Sequence, residues 1–250
     1  MVVPPPPTSP GSSSSWQDAP APASDANELA ARRASHPPNS HGERTIMTIA
    51  IIGSGAIGHA LAAQFARKKI DVLLANRRGP DSLADIVREL GATITATSVA
   101  DALRSDVVFL AVPFTSVGDA VREAPAWDGR LVVDATNAID FPAFTPTDLG
   151  GRPSTELVAE TVPGARVVKA FNTIPAAVLA IDPASDGGRR VVFLSGDDTG
   201  ANAEVATLIE RLGFAAIDLG RLSEGGRLQQ FGGALPVLDL ILRPPARRSH

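Results

Sequence analysis

A doubly wound α/β fold built on a mostly parallel sheet is predicted by three features of the sequence. Continuous apolar runs recur along the chain, as expected for strands covered on both faces. Stretches with helical periodicity separate them. Consecutive strand–helix–strand units of this kind favour right-handed crossovers and parallel pairing. The chain has 250 residues, 44% of them hydrophobic, which is enough for one sizeable core.

The elements follow in order. Residues 1–45 hold nine of the 21 prolines, the blocks PPPP and SSSS, and no apolar periodicity. Such a segment buries too little surface to offset its ordering entropy, so a disordered tail is expected. It lacks the apolar core of a secretory signal. Met47 opens the first strand, and the functional protein is expected to start there. TIAIIG (48–53) is the first run, and Gly53, Gly55 and Gly58 follow it. Ile57, Leu61 and Phe65 then share one helical face. DVLLAN (71–76) is the second run. In PDSLADIVRELG (80–91), Leu83, Ile86, Val87 and Leu90 have helical spacing, and Gly91 is placed to end the helix. TITAT (93–97), DVVFLAV (106–112), RLVVDAT (130–136), ARVVKAF (165–171) and RRVVFLSG (189–196) supply further strands. Residues 201–213 read as a helix with Val205, Leu208, Ile209 and Leu212 inward. One domain over 46–245 is expected, with a nucleotide-binding core at about 47–140 and a C-terminal α/β extension at about 141–245.

Composition narrows the chemistry. A net charge of −4 gives no reason to expect nucleic acid or an anionic membrane as partner. No run of about 18 apolar residues predicts a membrane-spanning helix. The absence of cysteine excludes thiolate nucleophiles and cysteine metal sites, and fits a cytoplasmic location. No metal site is expected. There is no tyrosine, and of the four histidines only His59 lies between the tail and the last residue. Lysine occurs only at Lys68, Lys69 and Lys169. The stock of acids and bases is thin.

IIGSGAIGHAL (51–61) carries G-x-G-x-x-G between a strand and a helix, the context that marks a Rossmann-type dinucleotide site. Gly53 permits the tight turn, Gly55 lets backbone approach a pyrophosphate, and Gly58 lets the helix pack closely on the sheet. The helix start then meets the phosphates with free N–H groups and the positive end of its dipole. An NAD site would place a carboxylate at the tip of the second strand. Here LLANRRGPDSL (73–83) places Asn76, Arg77 and Arg78 there instead. A guanidinium fork grips a ribose 2′-phosphate, so NADP(H) is preferred to NAD(H). Strand-end position puts Pro113 and Phe114 beside the nicotinamide as an apolar wall, with Asn137 placed to bond its carboxamide.

The segments IAIIGSGAIG, LANRRGPDSL, AVPF, VVKAFNTIPA (167–176) and LSEGGRLQQ (222–230) together resemble the NADPH-dependent coenzyme F420 reductase family. They are also similar to the nucleotide-binding domain of membrane ferric reductases. The resemblance covers about residues 47 to 243 and implies hydride exchange between NADPH and a flavin-like small molecule, with the acceptor left open among coenzyme F420, FMN, FAD and a metal chelate. It further implies that Ser54, Gly55, Ala56 and Ile57 face the pyrophosphate, with Asn76 and Arg77 at the 2′-phosphate. Pro113 and the segment Asn172, Thr173, Ile174, Pro175 and Ala176 would border the two rings.

Hydride transfer to a flavin-type ring needs alignment and exclusion of water more than a protein acid. Lys169 sustains an alternative, protonating a carbonyl or imine, although a solvent-facing lysine just past a buried strand is the plainer expectation. A non-catalytic NADP(H)-binding regulator is the third alternative. His59 is expected on the helix surface. In SGDD (195–198), Asp197 or Asp198 is expected to cap a helix. LSEGGRLQQ is a turn entering a helix that could close over the second ligand. Leu235, Leu238, Ile241 and Leu242 form an apolar face suited to the core or to a homodimer.

Overall fold

The structure, a computed structural model, describes residues 47–185 and 187–244. The expected tail over 1–45 lies outside the described residues. Within the compact unit Arg44–His250, the main strands are β1 (Ile49–Ile52), β2 (Val72–Ala75), β3 (Ile94–Ala96), β4 (Val107–Leu110), β5 (Leu131–Asp134), β6 (Arg166–Ala170), β7 (Gly188–Gly196) and β8 (Ala215–Asp218). They form one sheet in the order β8-β7-β6-β5-β4-β1-β2-β3. Pairing is parallel from β3 through β6. It turns antiparallel between β6 and β7, then parallel again between β7 and β8. The chain therefore leaves β1 in one direction to β2 and β3 and returns past it to β4. That reversal makes the crevice outside the carboxyl ends of β1 and β4 the place for a ligand.

The helices are α1 (Ala56–Arg67), α2 (Ala84–Leu90), α3 (Val99–Ala102), α4 (Val117–Val121), α5 (Ser154–Thr161), α6 (Ala176–Ala180) and α7 (Thr199–Leu212). Strand alternation sends successive side chains to opposite faces. Ile49, Ile51, Phe109, Val133, Val168 and Leu194 meet Leu61, Phe65, Leu179, Val205 and Ile209 on one face. Ala50, Ile52, Val108, Leu110, Val132 and Val167 meet Leu103, Val117, Val121 and Val158 on the other. A line of rings threads the first face: Phe65 and Phe109 lie 5.5 Å apart, Phe109 and Phe171 5.8 Å, and Phe171 and Phe214 6.3 Å.

Local expectations meet the structure with some corrections. Asp198 caps α7, accepting from the Ala201 N–H at 2.7 Å, and Gly213 ends it in the left-handed region at φ +97°. The expected helix over 80–91 divides into a 3₁₀ turn, Pro80–Leu83, and α2. Of its apolar positions only Leu83 is fully buried. The segment with Leu235, Leu238, Ile241 and Leu242 is not helical; it ends in a two-residue strand, Ile241–Leu242, paired antiparallel with Arg189 and Arg190. Leu238 and Leu242 are exposed.

Phe109 stands between Phe65 and Phe171 in the ring line, so Phe109→Ala should lower unfolding free energy by about 3–5 kcal/mol. The measurement is the shift in urea midpoint at constant m-value.

Candidate functional site

The turn out of β1 is set by two backbone approaches. Gly53 has φ +110°, its N–H bonds the Ala75 carbonyl at 2.8 Å, and a Cβ on it would lie 2.3 Å from the Ala111 carbonyl oxygen. A Cβ on Gly58 would lie 1.9 Å from the Gly53 carbonyl oxygen. Both positions therefore require glycine, as the sequence predicts. Gly55 differs: nothing lies within 4 Å of a Cβ placed there, and the residue is exposed. Gly55 is the N-cap of α1, with no side-chain cap and no acidic residue in the first turn. Ala56 is exposed beside it, and Ser54 and Ile57 are half-buried. The uncapped N–H groups and the positive helix end face open space, which suits an anion.

Asn76 ties this turn to the arginine loop. Its Nδ2 donates to Ser54 Oγ at 2.8 Å and to Ser82 Oγ at 3.0 Å. Its Oδ1 accepts from the Arg78 backbone N–H at 2.8 Å and from the Ser82 hydroxyl at 3.1 Å. Only 9% of the residue is exposed. Asn76, expected at the 2′-phosphate, is thus engaged inside the protein and holds the loop in shape. Arg77 and Arg78 are both exposed. Among the described residues neither guanidinium has a hydrogen-bond or ion-pair partner. Two unpaired cations stand beside an uncapped helix start.

At the carboxyl edge of β4, Pro113 is exposed and Phe114 half-buried, the latter packed against the core that contains Ile52, Leu110 and Val117. At the edges of β5 and β6, two asparagines clasp each other. Asn137 Nδ2 donates to the Asn172 carbonyl at 2.8 Å, and Asn172 Nδ2 donates to Asn137 Oδ1 at 2.9 Å. The Asn172 amide also reaches the Gln229 carbonyl at 2.7 Å. Asn137, expected to bond a carboxamide, spends one N–H and one lone pair on this clasp. It keeps one of each.

Gln229 is wholly buried beneath the pair. Its Oε1 accepts from Ser195 Oγ at 2.6 Å and its Nε2 donates to the Phe193 carbonyl at 3.1 Å. Ser195 and Ser82 are structural members of the site that the sequence alone does not single out, and Gln229, from the turn expected to close over a second ligand, is buried beneath the clasp. Phe171, at φ +63°, turns the chain at the end of β6 and sends it into the clasp.

Of the segment expected to border the rings, Asn172, Thr173 and Ile174 are buried; Pro175 is exposed and Ala176 half-buried. The Thr173 carbonyl accepts from the Val237 N–H at 2.7 Å. That places the C-terminal segment against this part of the edge. A bidentate pair fixes the segment farther along, where Arg190 meets Asp239 at 2.6 and 3.1 Å. The turn Leu222–Gly226 and the helical turn Arg227–Gln229 bring Gln229 to the clasp.

Lys169 needs a correction. It does not face solvent: its side chain is wholly buried on the α5 face of β6. Nζ donates to Asp134 Oδ2 at 3.3 Å, the Thr136 carbonyl at 3.2 Å and Ser154 Oγ at 3.3 Å. The Asp134 carboxylate also accepts from Thr155 Oγ1 and, at 2.9 Å, from the Thr136 N–H. All three donors of the ammonium are engaged within the protein, which ties α5 to the edge of the sheet. His59 is half-buried on α1, with Nε2 3.3 Å from Glu89 Oε2. Among the described residues no group of three or more His, Asp or Glu could hold a metal ion, and no helix is long and apolar enough to cross a membrane.

Comparison with known proteins gives three findings. Residues 48–138 match the family described as NADP oxidoreductase, coenzyme F420-dependent. The metalloreductase STEAP3 of Rattus norvegicus is 28% identical over 182 residues, which is 72% of this chain and 35% of that protein. The chain thus spans about a third of the length of the curated relatives it matches. Among solved structures, hypothetical protein SMa0349 from Sinorhizobium meliloti is 56% identical with a TM-score of 0.77, the match covering 78% of this chain and 96% of that one. A protein from Arthrobacter sp. FB24, assigned as an F420-dependent NADP-reductase, is 30% identical with a TM-score of 0.62, covering 71% and 86%.

Removing one partner of the buried pair leaves the other charge unsatisfied. Lys169→Met should lower stability by about 3–5 kcal/mol, whereas Lys169→Met with Asp134→Leu should recover most of that loss. Urea unfolding of the two variants beside the parent checks it.

Proposed function

The chain belongs to the coenzyme F420-dependent NADP oxidoreductase family; from that premise we propose that it is an NADP-dependent oxidoreductase passing hydride between NADPH and a flavin-type acceptor, a deazaflavin of the F420 kind, FMN or FAD. The observation that carries the cofactor half is the unpaired Arg77–Arg78 couple beside the open Gly55 turn. Ser54, Gly55, Ala56 and Ile57 offer backbone N–H groups and a close approach to the pyrophosphate, with Gly53 shaping the turn and Gly58 behind it. Arg77 and Arg78 receive the 2′-phosphate, and Asn76 keeps their loop beside the turn. The residues present fit the dinucleotide.

When bound, NADPH supplies a hydride, and the chain's residues align the ring that delivers it. Pro113 and Phe114 wall one side of the position expected for the nicotinamide, and the free N–H and lone pair of Asn137 serve its carboxamide. Pro175 and Ala176 are the accessible part of the segment on the acceptor side. The acceptor assignment is supported by what surrounds this edge. The lysine beneath it is enclosed by Asp134, Thr136 and Ser154, and the sequence has no tyrosine. A carbonyl or imine would need a proton from such a donor. A flavin-type ring accepts the hydride and takes the one proton that completes its reduction from water.

The test is loss of NADPH absorbance with FMN, FAD or a deazaflavin, each without added metal. Turnover with at least one ring is expected; turnover confined to simple ketones or imines would overturn the acceptor assignment. Replacing Arg77 and Arg78 by alanine should weaken NADPH binding tenfold or more, from about 1.5–3 kcal/mol per charged hydrogen bond removed. NADH affinity should stay level. Calorimetric titration of both cofactors decides, and equal losses would remove the 2′-phosphate role.

A further inference from the structure

Three of the nine phenylalanines stand together away from the core. Phe141 is 73% exposed and Phe144 59% exposed, while Phe231 is half-buried. Their rings meet edge to face in sequence, Phe141 to Phe144 at 5.8 Å and Phe144 to Phe231 at 5.1 Å. Folding alone gives no reason to leave two such rings in water. Phe144 also holds φ +54°, a conformation that a bulky side chain disfavours. An exposed aromatic set kept at a backbone cost points to a ligand.

Its position says which ligand. Phe141 and Phe144 sit on the hairpin Ile139–Asp140/Thr145–Pro146, which leaves the carboxyl end of β5 just past Asn137. Thr147 closes the hairpin, its N–H on the Ala138 carbonyl at 3.2 Å and its hydroxyl on Asp140 at 2.6 Å. Phe231 follows Gln229, whose carbonyl accepts from Asn172. Both supports of the trio therefore start from the Asn137–Asn172 clasp. A Cβ on Gly232 would lie 2.5 Å from Pro146 Cγ, so the two supports also touch. The trio stands on the edge of the sheet where ligands of this fold lie.

We propose that Phe141, Phe144 and Phe231 are the seat of the acceptor's planar ring, and that the acceptor is a fused heteroaromatic, not a compact carbonyl compound or a bare metal chelate. The proposal rests on the flavin-type assignment above and assigns it a surface. Three phenyl rings at roughly 150–250 Å² each, only partly exposed, fall short of the roughly 800 Å² per partner that a stable protein interface buries. They are of the scale that one small planar molecule covers. Stacking on them is tolerant of ring substituents, since any π-face can use it.

The experiment measures ring retention without turnover. The full chain, saturated with NADP⁺, is dialysed to equilibrium against FMN, FAD and 5-deazariboflavin. Phe141→Ala/Phe144→Ala should weaken retention tenfold or more while NADPH affinity stays level. Phe141→Leu/Phe144→Leu, which keeps the apolar surface, should lose nearly as much. Two results would overturn the seat: no ring retained by the parent, or equal retention by parent and variants, and a halved variant mass by light scattering in the second case would assign the trio to a second copy. The underlying function is read separately, by NADPH oxidation over a range of ring concentrations. Retention without oxidation sinks that function and leaves the seat; oxidation with a KM that both variants leave alone does the reverse.

Discussion

The site depends on a contact that almost no side chain could occupy. The start of α1 lies on the Gly53 carbonyl because Gly58 has no Cβ, and Gly53 in turn lies on the Ala111 carbonyl at the end of β4. Two missing methyl groups thus join helix, turn and the neighbouring strand into one backbone-to-backbone stack. The uncapped end of α1 is held at the crevice where the chain reverses its course through the sheet. Any bulkier residue would push the helix outward and carry its N–H groups away from a ligand. Positioning here is achieved by subtraction.

Around that stack the molecule divides its charged groups by task. Lys169 and Asp134 face each other across paired strands with no exposure and hold α5 to the sheet through Ser154 and Thr155. Arg190 and Asp239 fix the C-terminal segment. Arg77 and Arg78 stand at the tip of β2 without a partner among the described residues. In a chain whose net charge is negative, a local cationic couple next to an uncapped helix start gives a focused positive field. A di-anionic group gains from both features at once.

Much of this was legible in the chain. β1, its glycine turn and α1 follow from a continuous apolar run, three spaced glycines and a helical stripe, all local signals. The cap at Asp198 and the stop at Gly213 were equally local. What escaped was long-range. The burial of Lys169 follows from its register opposite Asp134, a pairing of strands 35 residues apart. The antiparallel entry of β7 escaped because an apolar run carries no direction. Asn76 looked like a ligand group because it sits between a strand and two arginines. Its partners Ser54 and Ser82 come from loops on either side, and only the folded turn brings them together.

That asparagine has a kinetic corollary. Because Asn76 bonds both the glycine turn and the arginine loop, the two grips proposed for the diphosphate and the 2′-phosphate are joined into a single bracket. A dinucleotide gripped by one end keeps its other end near the second grip at high local concentration. Escape then demands that both ends let go nearly together. On the proposed reading of the site, such an arrangement would lengthen the residence of a bound dinucleotide.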